Sequence, residues 1–209
     1  PDYIDKGPLT NSGVQTNAAS QPTWSSADGG VYSFDGVDDY IITADADSLS
    51  FVGNTPMSVS AWVSFPSSGG TEAVVSKGST AQREYNLGKD TSDKLFFWVI
   101  DESASGALLQ QSSTNIFNTS QWYHIAATYD GGTTTGAIKL YINGVAAGLT
   151  PSSSGTFVSM ENLTGDLWLG RRFTSYGEES LDDPRIYSDE LTATEVLAIY
   201  NNTKGAYGL

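Results

Sequence analysis

The sequence predicts an all-β fold, a two-sheet antiparallel β-sandwich (a jelly roll) with one short helix near its C-terminus. Three observations lead to this prediction. Short runs of β-branched and aromatic residues recur roughly every 8–15 residues, each closed by turn residues. The run MSVSAWVSF at 57–65 alternates with a period of two, which is typical of a strand. The run IKLYING at 138–144 alternates in the same way and ends in Asn-Gly, the favoured two-residue hairpin turn.

The predicted strands follow one another along most of the chain, and KDTSDK at 89–94 has the composition of a hairpin turn between two of them. We expect strands in the ranges 31–34, 39–43, 57–65, 72–77, 83–89, 94–101, 106–112, 121–130, 138–144, 145–149, 166–171 and 181–187.

Two segments differ from this pattern. Residues 189–202 carry apolar side chains at helical spacing, and Thr192 followed by Glu195 is a capping-box signal, so this segment is predicted to be the helix. Residues 1–30 are polar with little periodicity. We therefore divide the chain into an N-terminal extension or strand at 1–30 and one sandwich domain at 31–209.

The charge balance excludes several classes of partner. The chain has 209 residues, with 24 Asp and Glu against 10 Lys and Arg, and a net charge of −14. Because no basic run is present, binding to nucleic acid or to an anionic membrane surface is disfavoured. No apolar run reaches the ~18 residues that would predict membrane insertion. There is no cysteine, which excludes thiolate sites. The wealth of Gly, Ser, Thr and Asn favours a secreted or cell-surface protein.

The stretch FDGVDDY at 34–40 supports two interpretations. Asp35, Asp38 and Asp39 favour a tight turn, since aspartate is a common turn residue and Gly36 permits the bend. The same carboxylates are also the hard oxygen ligands that Ca²⁺ prefers. The segment alone does not distinguish a turn from half of a calcium site.

The order of the motifs resembles one known family. VYSFDGVDDYI, SVSAWV, AVVSKG, QWYHIAATYDG, IKLYINGV, LWLGR and LDDPRIYSDELTATEVLAIY follow one another between residues 31 and 200. In this order they are similar to the laminin-G-like jelly-roll domains of the concanavalin A-like lectin and glucanase superfamily. The resemblance implies a sandwich with one concave and one convex face. Members of the family serve as carbohydrate-binding, adhesion and protein-interaction domains, so the fold alone does not decide the function.

The resemblance also implies a calcium site that joins the first and last core strands. LDDPRIY at 181–187 matches the family pattern of an aspartate before Arg-aliphatic-Tyr. This match makes Asp182 a ligand, the Gly36 carbonyl its partner, and Asp35 or Asp38 a neighbour. Alternatively, the two aspartates of LDDPRIY pair with Arg185.

A ligand site for a sugar should combine aromatic rings, on which the CH faces of the sugar stack, with polar planar groups that bind its hydroxyls. Arg171 and Arg172 hold a fifth of all positive charge and adjoin a loop with Phe and Tyr. The alternative is that they pair with nearby glutamates at the surface. The predicted ligand-binding residues are Arg83, Tyr85, Trp98, Arg171, Arg172 and Tyr176.

Catalytic signatures are absent from the sequence. The Glu-x-Asp-x-x-Glu motif of related glucanases does not occur, nor does the Gly-x-Ser-x-Gly elbow of serine hydrolases. The single histidine, His124, lies within a predicted strand and is interpreted as structural. We therefore expect a non-catalytic extracellular module, stabilised by calcium, that binds a carbohydrate or a cell-surface partner. The alternative is a structural protein that self-assembles into a filament or coat through residues 1–30.

Overall fold

The structure is a computed structural model that describes residues 11–26 and 30–209. Strands dominate these residues, and one α-helix, α1 (Ala193–Thr203), follows the last strand. The strands are β1 (Thr23–Ser25), β2 (Val31–Ser33), β3 (Ile41–Thr43), β4 (Met57–Ser64), β5 (Glu72–Lys77), β6 (Tyr85–Lys89), β7 (Leu95–Asp101), β8 (Gly106–Ser112), β9 (Trp122–Tyr129), β10 (Ile138–Ile142), β11 (Val145–Ala146), β12 (Leu149–Ser154), β13 (Leu167–Leu169), β14 (Arg171–Arg172), β15 (Ser175–Tyr176) and β16 (Ser180–Tyr187).

The strands form two large antiparallel sheets, which confirms the predicted fold class. Sheet I has the order β1-β2-β16-β4-β9-β10-β11, and sheet II has the order β12-β8-β7-β6-β5-β13-β3. The remaining pair, β14 and β15, forms a small hairpin of its own. Each sheet combines hairpins of consecutive strands, such as β5 to β8 in sheet II, with neighbours from distant parts of the chain, such as β16 beside β2 and β4 in sheet I.

The core lies between the two sheets and follows the alternation predicted from the sequence. Val59, Ala61 and Val63 on β4 have no exposed surface and belong to the main core cluster. Trp62, on the opposite face of β4, is also fully buried, because its ring stacks on Tyr207 at a centroid distance of 4.0 Å. The C-terminal segment therefore covers the outer face of sheet I.

The Asn-Gly hairpin is confirmed. Asn143 and Gly144 connect β10 and β11, with φ angles of 51° and 78°. Both values are positive, as a type I′ turn requires.

FDGVDDY is not a hairpin turn, because the strands on either side of it belong to different sheets. The segment before it is β2 of sheet I, and the segment after it is β3 of sheet II. Gly36 has a φ of 74°, and its N–H donates to the Gly177 carbonyl at 3.1 Å. The stretch therefore crosses one end of the sandwich from sheet to sheet.

The described part of the N-terminal segment pairs within its own chain. β1 adds an edge strand to sheet I through its ladder with β2. Val14 and Ile42 exchange backbone hydrogen bonds of 2.7 and 3.1 Å at the edge of sheet II. Residues 1–10 and 27–29, which were included in the predicted extension, lie outside the described residues.

The predicted helix is confirmed together with its capping box. The Thr192 hydroxyl accepts from the Glu195 N–H at 3.2 Å, and the Glu195 carboxylate accepts from the Thr192 N–H at 2.8 Å. Val196 is fully buried against Ala126 and Tyr141 on the outer face of sheet I. In the described ranges, no helix has the length and apolar composition needed to cross a membrane.

Candidate functional site

The hairpin of β14 and β15 folds over the outer face of sheet II. It leaves the sheet at Gly170, which follows β13, and ends at Gly177, whose N–H donates to the Gly170 carbonyl at 2.8 Å before the chain continues into β16 of sheet I. Gly170 has a φ of 73°, and a Cβ there would lie 2.3 Å from the ring of Phe34. Only glycine satisfies both conditions, so this residue fixes where the hairpin begins.

A row of four side chains lies beneath this hairpin. The strand register aligns Trp98 on β7, Asn86 on β6, Ser76 on β5 and Trp168 on β13. Their sequence neighbours, such as Leu87, belong to the core between the sheets. Because side chains alternate along a strand, the row occupies the outer face of sheet II.

Arg172 covers one end of the row. Its guanidinium carbon lies 4.3 Å from the ring centroid of Trp98, 4.9 Å from that of Phe173 and 5.8 Å from that of Phe96. Burial, and secondly the neighbouring Arg83 charge, lower the pKa of Arg172. The Nε atom of Arg172 is buried and has no hydrogen-bond partner among the described residues.

Arg171 covers the other end. Its guanidinium carbon lies 4.6 Å from the ring centroid of Trp168, 4.7 Å from that of Tyr40 and 5.2 Å from that of Tyr176. Its Nε donates to the Phe173 carbonyl at 3.0 Å. Consecutive arginines thus hold separate aromatic groups on one face.

Neither arginine forms an ion pair with a carboxylate of the described residues. The interpretation that they pair with surface glutamates is therefore wrong for these residues. Arg83, in contrast, holds Glu102 in a two-point contact, with Nε–Oε2 and Nη2–Oε1 distances of 2.7 and 2.9 Å.

Buried polar atoms without partners lie in the same row. Asn86 is 2% exposed, and neither its amide nitrogen nor its amide oxygen has a hydrogen-bond partner in the described chain. The Nε1 atom of Trp168 is likewise unpaired. Buried polar groups are rarely left unsatisfied, since each costs about 1–3 kcal/mol. The face of sheet II therefore has hydrogen-bonding groups that no described residue satisfies.

A shallow cavity of about 190 Å³ adjoins the row on the side of β8 and β12. Trp98, Ala107 and Leu109 form its apolar part, and residues 152–154 of β12 contribute three serines. Trp98 therefore stands between the hairpin with its arginines and a cavity that mixes apolar surface with hydroxyl groups.

Most of the predicted ligand-binding residues meet around this face, but Tyr85 does not. Tyr85 is 1% exposed, packs in the core, and donates its hydroxyl to the Leu49 carbonyl at 2.9 Å. Its prediction as a ligand contact is wrong, because its strand position points inward. The predicted residues that surround the face are Arg83, Trp98, Arg171, Arg172 and Tyr176.

Sequence reasoning did not identify Asn86 or Trp168 as part of this face. An asparagine within the strand YNLGK, alternating with inward-facing Tyr85 and Leu87, was the available signal. For Trp168 no comparable signal exists, because a tryptophan within a strand has the same pattern whether it faces the core or the outer surface.

The aspartates of FDGVDDY form an acidic cluster at the end of the sandwich. Asp35, Asp38 and Asp39 each place one carboxylate oxygen within 4.8 Å of the others. Burial, followed by the charges of Asp35 and Asp38, raises the pKa of Asp39. None of the three forms an ion pair with a described lysine or arginine.

Asp182 does not join this cluster, in contrast to the prediction. The Gly36 N–H donates to the Gly177 carbonyl, so the cluster lies beside residue 177 of the segment that leads into β16. Asp182 comes five residues later, which corresponds to roughly 16 Å of extended chain. Its carboxylate instead accepts a 2.5 Å hydrogen bond from the Tyr207 hydroxyl. Arg185 pairs with Asp183. The alternative interpretation, in which both aspartates of LDDPRIY pair with Arg185, is therefore confirmed for one of the two.

His124 occupies a structural position, as predicted. It is 1% exposed, and its ring lies 5.4 Å from that of Trp62 beneath the C-terminal segment. Burial lowers the pKa of His124 to about 4.

Solved structures similar to this chain include two neurotoxin binding domains and one domain of an arabinanase. The botulinum neurotoxin serotype G binding domain matches with a TM-score of 0.69 and 17% identity, over 95% of this chain and 48% of that one. The serotype D ligand-binding domain, in complex with N-acetylneuraminic acid, matches with a TM-score of 0.66 and 14% identity, over 96% and 50%. Domain 4 of AbnA, an extracellular arabinanase from Geobacillus stearothermophilus in complex with arabinotriose, matches with a TM-score of 0.64 and 20% identity, over 88% and 84%.

These likenesses show a shared fold. The chain spans about half the length of the two neurotoxin domains. No curated protein matches it in sequence. The sequence pattern of a laminin-G-like family, described as the concanavalin A-like lectin/glucanases superfamily, matches residues 35–197, which is more than half of the chain. The chain therefore belongs to the laminin-G-like family of the concanavalin A-like lectin and glucanase superfamily.

Proposed function

We propose that this chain is a non-catalytic carbohydrate-binding module whose ligand lies on the outer face of sheet II. The observation that carries the proposal is the position of Trp98, which is partly exposed and lies between the guanidinium of Arg172 and a cavity lined by apolar and serine side chains. Trp98 lies in one register row with Asn86 and Trp168, beneath two arginines. A sugar needs aromatic surface and several hydrogen-bonding groups, and this face offers both.

The chemistry of the face suits a sugar ring in two ways. The partly exposed ring of Trp98, with Leu109 beside it, offers a flat apolar surface for the CH groups of a pyranose or furanose. The serine hydroxyls of residues 152–154 and the guanidinium of Arg172 supply donors and acceptors for sugar hydroxyls. Pockets that bind small ligands usually combine apolar surface with a few polar groups in this manner.

The similar structures support this choice among the functions of the family. The neurotoxin serotype D domain is in complex with N-acetylneuraminic acid. The domain of the extracellular arabinanase is in complex with arabinotriose. We extend carbohydrate binding, and a secreted or cell-surface location, to this chain as part of the proposal.

The absence of catalysis is also part of the proposal. Glycoside hydrolysis uses two carboxyl groups about 5–10 Å apart on either side of the scissile bond. The residues that line the cavity beside Trp98 include no carboxylate. His124, the single histidine of the chain, is buried beneath the C-terminal segment on the other sheet.

We further propose that Ca²⁺ binds the cluster of Asp35, Asp38 and Asp39. Their donor set fits the ion, because hard carboxylate oxygens converge there without a described cation to balance them. The ion would stabilise the crossing from sheet I to sheet II. Its role in this position is structural, since the cluster does not include the residues of the proposed sugar site.

A glycan array probed with the purified chain tests the main proposal. We expect saturable binding to a restricted set of glycans by a protein that elutes as a monomer. Absence of binding to every glycan would refute the proposal. Large assemblies that dissolve when residues 1–30 are deleted would instead favour the structural, self-assembling alternative.

A further inference from the structure

Four cations of the described residues form no ion pair with a described carboxylate, although the chain is strongly acidic: Lys94, Arg171, Arg172 and Lys204. Acidic residues outnumber basic ones by 24 to 10, so ion pairs are readily available. Five cations are paired: Lys77 with Asp45 and Glu84, Lys89 with Asp93 and Glu72, Arg83 with Glu102, Lys139 with Glu190, and Arg185 with Asp183. In the described ranges, Arg171 and Arg172 are adjacent arginines that lack such a partner.

Arg172 in particular has unused hydrogen-bonding capacity. A guanidinium carries five N–H donors, and the Arg172 side chain donates none of them to a described residue; its contacts are with three aromatic rings. Stacking on rings stabilises the cation but satisfies no N–H group. The buried Nε of Arg172 thus adds to the unpaired donors on this face, Asn86 Nδ2 and Trp168 Nε1.

The surroundings favour an anion over a neutral group. Arg83 lies close enough to lower the pKa of Arg172, and the Glu102 carboxylate is held by Arg83 in a two-point contact. Glu102 balances the charge of Arg83, so it is the Arg172 charge that has no carboxylate partner among the described residues. An arginine fork matches the two oxygens of a carboxylate in a bidentate, charge-assisted contact.

We propose that the sugar recognised on this face is acidic, and that its carboxylate pairs with Arg172 while its ring lies against Trp98. The inference rests on the proposed function and deepens it by naming the ligand class. Sialic acids and uronic acids share the required carboxylate. A sulfate ester offers the same charge in tetrahedral geometry, and the experiment separates it from a carboxylate.

The test uses matched ligands with the unmodified protein. The probes are a sialylated oligosaccharide and an oligogalacturonide, each compared with its methyl ester, and a sulfated oligosaccharide compared with its unsulfated form. We expect at least one carboxylated probe to bind ten times or more tightly than its ester, with affinity that falls as salt concentration rises. The sulfated probe should bind more weakly than the preferred carboxylate.

The outcomes separate this inference from the proposed function. Equal binding of acids and esters, or binding of neutral sugars alone, overturns the acidic ligand and leaves carbohydrate binding intact. Binding of the sulfated probe alone overturns the carboxylate. Binding to none of the probes, and to no glycan on an array, overturns both.

Variants locate the contact. Arg172→Gln should remove the preference for acid over ester, whereas Arg172→Lys should retain part of it because the charge remains. The control is Arg185→Gln, which makes the same charge change on β16 of sheet I and should leave the preference unchanged. A preference that persists in folded Arg172→Gln would contradict the assignment of Arg172.

Discussion

The hydroxyl of Tyr207 donates a 2.5 Å hydrogen bond to the carboxylate of Asp182, and this contact ties the C-terminal turn to β16. The ring of Tyr207 also stacks on Trp62 at 4.0 Å and lies 5.0 Å from Trp122. Asp182 therefore stabilises the covering of sheet I by the C-terminal segment. This contact gives the first aspartate of LDDPRIY a structural role.

Tyr207→Phe should destabilise the protein while leaving the aromatic stack in place. Loss of a hydrogen bond to a charged acceptor costs about 1.5–3 kcal/mol, and the partial exposure of both groups favours the lower end of this range. Urea unfolding followed by tryptophan fluorescence measures the change. If Asp182→Asn and Tyr207→Phe had fully additive effects in a double-mutant cycle, the two groups would not be coupled.

His124 should make stability depend on pH in acid. Its pKa falls from an ordinary value of 6.5 to about 4 in the folded protein, because burial disfavours the charged ring. The unfolded chain therefore binds more protons between these values, and the stabilisation, complete above pH 6.5, is lost progressively as pH falls towards 4. The loss amounts to about 3 kcal/mol at most.

Free energies of unfolding between pH 4 and 7, measured for the native chain and for His124→Gln, check this prediction. Carboxylates also titrate in the lower part of this range, so the difference between the two curves is the relevant quantity. We expect the variant to have a flatter profile. Parallel profiles would show that His124 does not carry the pH dependence.

Calcium should stabilise the protein through Asp35, Asp38 and Asp39. At 100 times its dissociation constant, an ion that binds only the folded state adds about 2.7 kcal/mol. Without calcium, burial and the neighbouring charges raise the pKa of Asp39 above its ordinary value of 3.8. At this group the folded state binds more protons than the unfolded chain, so the contribution of Asp39 to stability is present below pH 3.8 and is lost as pH rises through its raised pKa. Melting temperature with calcium and with excess chelator, measured at two pH values, tests both effects.

Asp38→Asn should weaken the calcium response, and Asp182→Asn is the matched control. The two substitutions remove the same charge, but Asp182 lies roughly 16 Å along the strand from the cluster. We expect the control to keep the full calcium-induced rise in melting temperature. A response lost in Asp182→Asn but kept in Asp38→Asn would restore the site that the sequence predicted.

Local patterns in the sequence were sufficient for the features that depend on neighbouring residues. The capping box of Thr192 and Glu195 and the turn at Asn143 and Gly144 are of this kind, since each is decided within a few residues. The alternation of β4 likewise predicted which of its side chains enter the core.

The sequence could not indicate which distant segments meet. FDGVDDY has the composition of a hairpin turn, yet it connects two sheets, because strand partners in a jelly roll come from remote parts of the chain. For the same reason Asp182 was assigned to the wrong neighbours. Arg171 and Arg172 adjoin Phe and Tyr in the sequence, but their position over β7 and β13 depends on the turn at Gly170, which decides contacts between segments that are distant in the chain.

The sugar site on the outer face of sheet II is tested most directly by calorimetric titration of the preferred glycan into Trp98→Ala and Trp24→Ala. Trp24 is 53% exposed on β1 of sheet I and serves as the matched tryptophan outside the site. We predict that Trp98→Ala weakens binding at least tenfold, or about 1.4 kcal/mol, while Trp24→Ala binds as the native chain does. Unchanged affinity in a folded Trp98→Ala protein, or a loss confined to Trp24→Ala, would contradict the proposed site.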